Sequence, residues 1–176
     1  MTKPDIREIL EQRIMIIDGS MGALIMSDNP TEEGYRGERF KNHHIDVRNA
    51  TDLLVLTQPE LISGIHRKYL DAGADIIETD TFNASIVGMK EFELSHIVRE
   101  LNQTGAELAR KCADEYTAKT STKPRYVAGS IGPTNVRISQ TNLQLWAKSR
   151  LGPNTFAIAH TSDGVPFFFD ATERSK

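Results

Sequence analysis

Polar residues follow three short apolar runs of this sequence, at the points where each run ends. The first run is followed by Asp18 and the glycine-flanked residues 19–22, and the second by residues 78–81, Glu-Thr-Asp-Thr. The third run is followed by residues 132–135, Gly-Pro-Thr-Asn. In parallel α/β folds, ligands bind where the carboxyl ends of the strands converge. The pattern therefore predicts that Asp18 and Glu78 face one shared pocket.

These side chains also have alternative roles. A carboxylate at a strand end can cap the next helix or pair with a nearby arginine, although agreement among three strand ends favours the pocket. The carboxylates of Asp18, Glu78 and Asp80 could instead hold magnesium in a metal-dependent barrel lyase. His43 and His44 are adjacent in a polar stretch, where solvated histidines are commoner than metal ligands. No catalytic residue and no metal ligand is assigned from the sequence.

The composition is that of an ordinary globular protein. Of the 176 residues, 39% are hydrophobic and 26% charged, and 21 basic against 24 acidic residues give a net charge of −3. This balance excludes the strongly basic surfaces of proteins that bind nucleic acid or anionic membranes. Residues 1–13 lack a secretory signal, and no apolar run approaches the ~20 residues of a membrane span. We expect a cytoplasmic protein with no nucleic-acid partner and no membrane association.

Strands and helices alternate along the part of the chain that positions the polar residues. Continuous apolar runs bounded by turn signals predict buried strands at 13–18, 74–78 and 125–131. Helical periodicity predicts helices over 57–73 and 92–118. Alternation of this kind indicates parallel pairing through right-handed crossovers, and therefore an α/β fold.

Local signals set the ends and faces of these helices. Thr57 and Glu60 have the spacing of a capping box, and Tyr69 lies on the apolar face of the first helix. Gly73 stands where a left-handed helix end belongs. Cys112, the single cysteine, falls on the apolar stripe of the second helix, so we expect it in the core rather than at a reactive site. Residues 27–50 are polar and predict a long loop with one turn of helix.

Four segments carry a specific combination of short motifs. They read IIDGSMGALI (16–25), YRGERF (35–40), NATDLLVLTQPELISGIHRKYLDAGADIIETDTFNAS (49–85) and RYVAGSIGPTN (125–135). In this order they resemble the N-terminal, homocysteine-binding domain of cobalamin-dependent methionine synthase, over residues 10–140. Ser20 and Asp80 depart from that pattern, in which glycine and asparagine are expected.

The resemblance implies a fold and a reaction. The fold is a (β/α)8 TIM-type barrel, of which this chain would form an incomplete part with about three βα units. The reaction is homocysteine S-methyl transfer in methionine biosynthesis. Zinc held by three cysteine thiolates binds and deprotonates the homocysteine thiol, which then attacks a methyl group on a corrinoid.

The resemblance also implies substrate contacts in this sequence. Asp18 would receive the substrate ammonium, and backbone N–H groups of the following small residues would hold the substrate carboxylate. Glu78 would be a second polar contact at the mouth of the barrel. The implied substrate-binding residues are Asp18, Gly19, Ser20, Met21, Gly22 and Glu78.

The thiolates of the implied zinc site have no counterparts in this sequence. One cysteine does not make a tetrahedral zinc site, so we expect the chain to hold neither zinc nor cobalamin. Methylcobalamin and methyltetrahydrofolate would act through modules absent here. Residues 1–142 read as the N-terminal part of the barrel, and residues 143–176 as a divergent, irregular tail.

These features predict a truncated methyltransferase that is inactive alone and marginally stable, because a partial barrel leaves an unpaired sheet edge. The alternatives are a non-catalytic polypeptide that acts only through protein partners, and the metal-dependent lyase.

Overall fold

The structure, a computed structural model, describes residues 4–133 and the backbone of two later strands. The strands are β1 (Ile76–Glu78), β2 (Tyr126–Ile131), β3 (Phe156–His160) and β4 (Pro166–Asp170). The α-helices are α1 (Ile6–Leu10), α2 (Met21–Asp28), α3 (Glu32–Arg36), α4 (Leu54–Thr57), α5 (Pro59–Asp71) and α6 (Val98–Lys119). Short 3-10 helices span Thr51–Leu53, Gly88–Lys90 and Ser95–Ile97.

The strands form one sheet in the order β1-β2-β3-β4. β1 pairs in parallel with β2, with Ile77 opposite Val127, and β2 pairs in parallel with β3. β4 runs antiparallel to β3. The predicted parallel α/β arrangement is therefore present. The prediction of an irregular tail is wrong for β3 and β4, because apolar and aromatic residues in these two segments suit a pleated strand.

The first predicted strand, residues 13–18, lies beside β1 but makes only a single parallel bridge, between Ile17 and Ile76. It is not buried on both faces as predicted: Ile14 is 88% exposed and Ile16 is 60% exposed. The reason is its position at the edge of the described sheet, where no described strand covers its outer side.

An ion pair between the exposed Arg13 and the buried Asp75 holds this edge segment in place. Arg13 donates to both oxygens of Asp75, at 2.9 and 2.7 Å, and the Ile16 N–H donates to Asp75 at 3.0 Å. Burial of Asp75 would raise its pKa, but these hydrogen bonds and the nearby Lys123 lower it instead. The charged pair fixes the register between residues 13–16 and the start of β1.

The helix predictions hold for the bodies of α5 and α6 but fail at their starts. α5 begins at Pro59 with no side-chain cap, so the predicted capping box is wrong. The Thr57 hydroxyl donates instead to the Leu53 carbonyl at 3.3 Å, because Thr57 ends the preceding helix α4. Gly73 has φ +103°, as a left-handed helix end requires. α6 begins at Val98 rather than at 92, after the 3-10 turns.

α5 and α6 pack together beside the sheet and bury two apolar clusters. The larger cluster contains Ile25, Leu53, Leu54, Ile62, Ile65, Met89 and Leu101 among others. The smaller contains Leu70, Ala74, Ile77, Ala109, Cys112 and Ala113. Cys112 is fully buried, as predicted, and burial raises the pKa of its thiol. Within the described ranges, no helix combines the length and apolar character needed to cross a bilayer.

Candidate functional site

Asp18 and Glu78 meet at the same end of the sheet. The Asp18 N–H donates to the Ile76 carbonyl at 2.9 Å, which brings the end of the edge segment alongside β1. The Glu78 N–H then donates to Asp18 Oδ2 at 3.1 Å. Asp18 Oδ1 is buried and accepts no hydrogen bond from any described residue. The two residues expected to share a pocket are therefore neighbours, with one carboxylate oxygen unpaired.

The surroundings of Asp18 favour its protonated form. Burial raises the pKa of Asp18 to about 7, and the negative charge of Glu78 adds to the rise. The Glu78 N–H partly offsets both effects by stabilising the carboxylate. A cation bound beside Asp18 would supply the compensation that the ionised carboxylate lacks.

The residues after Asp18 form a turn that starts helix α2. Ser20 caps the helix, since its Oγ accepts the Ala23 N–H at 3.1 Å. Met21 and Gly22 occupy the first turn, where backbone N–H groups have no acceptor within the helix and carry the positive end of its dipole. A Cβ on Gly22 would meet nothing within 4 Å, so space is open beside it. These features suit an anion next to the Asp18 carboxylate.

Tyr69 of α5 lies against this turn. Its hydroxyl donates to the Ser20 carbonyl at 3.2 Å. A Cβ on Gly19 would lie 3.1 Å from the same hydroxyl oxygen. The sequence pattern placed Tyr69 only on the apolar face of a helix, and no sequence signal indicated that its polar end reaches the turn.

Two of the four polar residues 78–81 at the end of β1 tie the strand ends together. The Ser130 N–H donates to Thr79 Oγ1 at 3.0 Å, and Thr81 Oγ1 donates to the Ser130 carbonyl at 2.9 Å. The two threonine hydroxyl oxygens are 2.6 Å apart. Thr79 and Thr81 therefore satisfy backbone groups of β2, and their polarity is explained by the sheet.

Asp80 turns into the protein interior, towards Asp52. Asp52 Oδ1 accepts the Asn83 N–H at 2.8 Å, and the Oδ2 atoms of both aspartates are buried without a hydrogen-bond partner. Burial raises the pKa of Asp52 to about 6. Burial, together with the charge of Asp52, raises the pKa of Asp80 well above its usual value. Asp52 was missed in the sequence because a lone acidic residue before a helix resembles an ordinary cap.

The third strand end packs against the loop after β1. The Gly132 N–H donates to the Phe82 carbonyl at 2.7 Å, and a Cβ on Gly132 would lie 2.6 Å from that oxygen. Close backbone approach thus explains this glycine. The remaining predicted residues of this end, 134 and 135, lie outside the described residues.

A family model of homocysteine S-methyltransferases matches residues 15–165. The chain belongs to the homocysteine S-methyltransferase family. The matched range continues past residue 142, where the sequence pattern set the start of a divergent tail; that division stays a prediction.

Crystal structures of the homocysteine methyltransferase MmuM from Escherichia coli share the fold. The metallated form is 22% identical with TM-score 0.60, and the alignment covers 83% of this chain and 51% of that one. The oxidised form is 25% identical with TM-score 0.57, covering 73% and 40%. The apo form is 23% identical with TM-score 0.55, covering 83% and 47%. This family member thus spans about half the length of these structures.

The residues of this family member do not fit a three-thiolate zinc site. Cys112 is the single cysteine of the sequence, and its buried thiol lies 3.9 Å from the Ser63 carbonyl. Among the described residues, no three histidine, cysteine or acidic side chains are grouped as a metal site would require. His43 Nε2 lies 2.8 Å from the Phe92 carbonyl, and His44 Nε2 lies 3.2 Å from a Glu93 oxygen.

The magnesium alternative requires the carboxylates of Asp18, Glu78 and Asp80 to lie together. Asp18 and Glu78 are together, but the charge that acts on Asp80 comes from Asp52. The lyase hypothesis therefore has no ligand cluster in the part of the chain that the structure describes.

Proposed function

We propose that this chain provides the homocysteine-binding part of a methyltransferase of the cobalamin-dependent methionine synthase type. Asp18 receives the substrate ammonium, the N–H groups of residues 19–22 hold its carboxylate, and Glu78 is a second polar contact. The observation that carries the proposal is the unpaired, buried Asp18 Oδ1 beside Glu78, next to the open first turn of α2. Family membership supplies the substrate class.

Charge complementarity explains why this geometry suits an amino acid. An ammonium group beside Asp18 would offset the burial that disfavours its ionised form, and its attraction would be strong away from water. The substrate carboxylate would lie at the positive end of the α2 dipole, where Met21 and Gly22 offer N–H donors. One short turn thus binds both charges of a zwitterion and fixes its orientation.

The metal chemistry lies beyond these residues. Zinc activation of the homocysteine thiol and attack on a corrinoid-bound methyl group, giving methionine, would need thiolates that this sequence does not provide. We therefore assign substrate binding, and no methyl-transfer step, to this chain. Methylcobalamin and methyltetrahydrofolate would enter through other modules, in the cytoplasm.

The exposed sheet edge favours a second candidate, a non-catalytic polypeptide that acts through a protein partner. Ile14, Ile16 and Ile17 are 88%, 60% and 40% exposed along one edge. Unpaired, apolar strand edges readily pair with another chain. This candidate predicts co-purification with a partner and no binding of homocysteine.

Calorimetric titration with reduced L-homocysteine tests the proposal. With the pKa of Asp18 at about 7, the ionised fraction rises about tenfold between pH 6 and pH 8, so the dissociation constant should fall by about the same factor. Asp18→Asn should weaken binding and remove this dependence. Asp28→Asn, an exposed change at the end of the same helix, is the matched control. Binding by Asp18→Asn equal to wild type, or no binding by wild type, would contradict the proposal.

A further inference from the structure

Tyr69 connects the core to the turn of residues 18–22. Its ring packs against both apolar clusters, and these contacts fix the position of the ring. Its hydroxyl reaches out of the core and donates to the Ser20 carbonyl at 3.2 Å. The same residue, Ser20, caps α2 through its side chain. The hydrogen bond from Tyr69 therefore acts on the residue that sets where α2 begins.

The backbone of Gly19 packs directly against the Tyr69 ring. A Cβ at position 19 would lie 3.1 Å from the Tyr69 hydroxyl oxygen, 3.3 Å from Cε1 and 3.5 Å from Cζ. The backbone of Gly19 does not lie in the left-handed region, so the constraint at this position is space. The missing side chain lets the turn rest directly on the ring, and the ring sets how far the turn stands from α5.

The Tyr69 hydroxyl is also close enough to Asp18 to feel its charge. Burial raises the pKa of Tyr69, and the negative charge of Asp18 raises it further. The phenol therefore stays protonated through the neutral range and remains a hydrogen-bond donor. Tyr69 thus interacts with three consecutive residues of the turn: it lies beside the charge of Asp18, packs against Gly19 and donates a hydrogen bond to Ser20.

We propose that Tyr69 is a positioning residue that holds residues 18–22 so that the Asp18 carboxylate and the N–H groups of the turn converge on one amino-acid ligand. This inference rests on the proposed homocysteine-binding function. Tyr69 touches the turn and acts on the ligand only through it.

Tyr69→Phe removes the hydroxyl and keeps the packed ring. We expect homocysteine to bind about fivefold more weakly, the effect of losing one hydrogen bond, at every pH between 6 and 8. The midpoint of the pH dependence, which Asp18 sets, should not move. Tyr116→Phe is the matched control, since it removes the hydroxyl that bonds to the Arg67 carbonyl and to Asp71, at the same end of α5 as Tyr69, rather than to the turn. A moved midpoint would assign Tyr69 a direct electrostatic role and overturn the inference.

A double-mutant cycle with Gly19→Ala tests the contact itself. Gly19→Ala alone should weaken binding, because the tyrosine or the turn must shift by a few tenths of an ångström to admit a Cβ at 3.1 Å. In the Tyr69→Phe background the added loss should be smaller, because the closest contacting atom is gone. Strictly additive effects would contradict a shared positioning role.

Amide hydrogen exchange without ligand separates this inference from the proposed function. Tyr69→Phe should speed exchange at residues 19–23 and leave α6 unchanged. If wild type fails to bind homocysteine but exchange responds as expected, the function is wrong and the positioning role holds. If binding occurs but neither exchange nor affinity responds to Tyr69→Phe, the positioning role is wrong.

Discussion

Asp80→Asn should stabilise this protein above neutral pH, because Asp80 is a buried carboxyl group on which the charge of a second buried carboxyl group, Asp52, acts. Asp52 is 0% exposed and Asp80 is 5% exposed, and one oxygen of each has no hydrogen-bond partner. No basic side chain contributes to the pKa of either carboxyl group, so neither negative charge is offset by a nearby cation. Ionising both groups in the interior is therefore unfavourable.

The sign of the pH dependence follows from the direction of the shifts. Both pKa values are raised in the folded state, so the native protein binds more protons than the unfolded chain above the unfolded pKa of 3.8. The resulting stability is fully present below 3.8 and is lost as pH rises through the folded pKa. For Asp52, the rise from 3.8 to about 6 corresponds to ~3 kcal/mol lost across that window. The loss linked to Asp80 continues to higher pH.

The asparagine amide has the shape of the protonated acid and carries no charge to desolvate. We expect Asp80→Asn to raise the free energy of unfolding by ~2 kcal/mol at pH 8, and Tm by roughly 4–8 °C. At pH 4 the gain should be close to zero, since the native acid is already protonated.

Urea unfolding at pH 4, 6 and 8, followed by circular dichroism, measures the effect. Asp46→Asn, at an exposed site, is the control and should change stability little at any pH. An equal gain at pH 4 and pH 8 would refute the argument from ionisation. A loss of stability at pH 8 would show that the Asp80 carboxylate has a stabilising partner.

Three further changes test other parts of the fold. Arg13→Met should cost ~2 kcal/mol in urea unfolding, because it leaves the buried Asp75 carboxylate with the Ile16 N–H and the more distant Lys123 as partners; an unchanged stability would contradict this. Gly132→Ala should cost ~2 kcal/mol, since its Cβ would meet a backbone oxygen at 2.6 Å, whereas Gly22→Ala, beside open space, should be neutral or stabilising. His66 is buried without a hydrogen-bond partner and burial lowers its pKa to about 4, so its folded state resists protonation. The stability of His66→Leu relative to wild type should therefore rise as pH falls from 6.5 to 4 in matched denaturant titrations, and a constant difference would refute this.

The sequence by itself determined where the strands end and what their ends carry. Apolar runs bounded by glycine or polar residues located β1 and β2, and helical periodicity located α5 and α6. Because parallel strands bring their carboxyl ends to one edge, the meeting of Asp18 and Glu78 followed from the order of elements alone. Gly73 was predictable because its left-handed conformation is a local property of the backbone.

Local signals failed where a neighbouring element competed for the same group. The spacing of Thr57 and Glu60 suited a capping box, but α4 uses the Thr57 hydroxyl for its own last turn. Residues 13–18 had the composition of a buried strand, yet their exposure depends on which strand lies beside them. Composition shows that a segment can form a buried strand, but the neighbouring strands determine whether its faces are covered.

Only the tertiary structure decided the contacts between residues far apart in the chain. Tyr69 lies 49 positions from Ser20, and its place beneath the turn depends on how α5 packs against the sheet. Asp52 and Asp80 acquire their raised pKa values only when folding buries both carboxyl groups, and the charge of Asp52 then acts on Asp80. Sequence patterns report periodic burial and local turn chemistry, whereas charge coupling and the support of a binding turn depend on distances that form only when the elements pack.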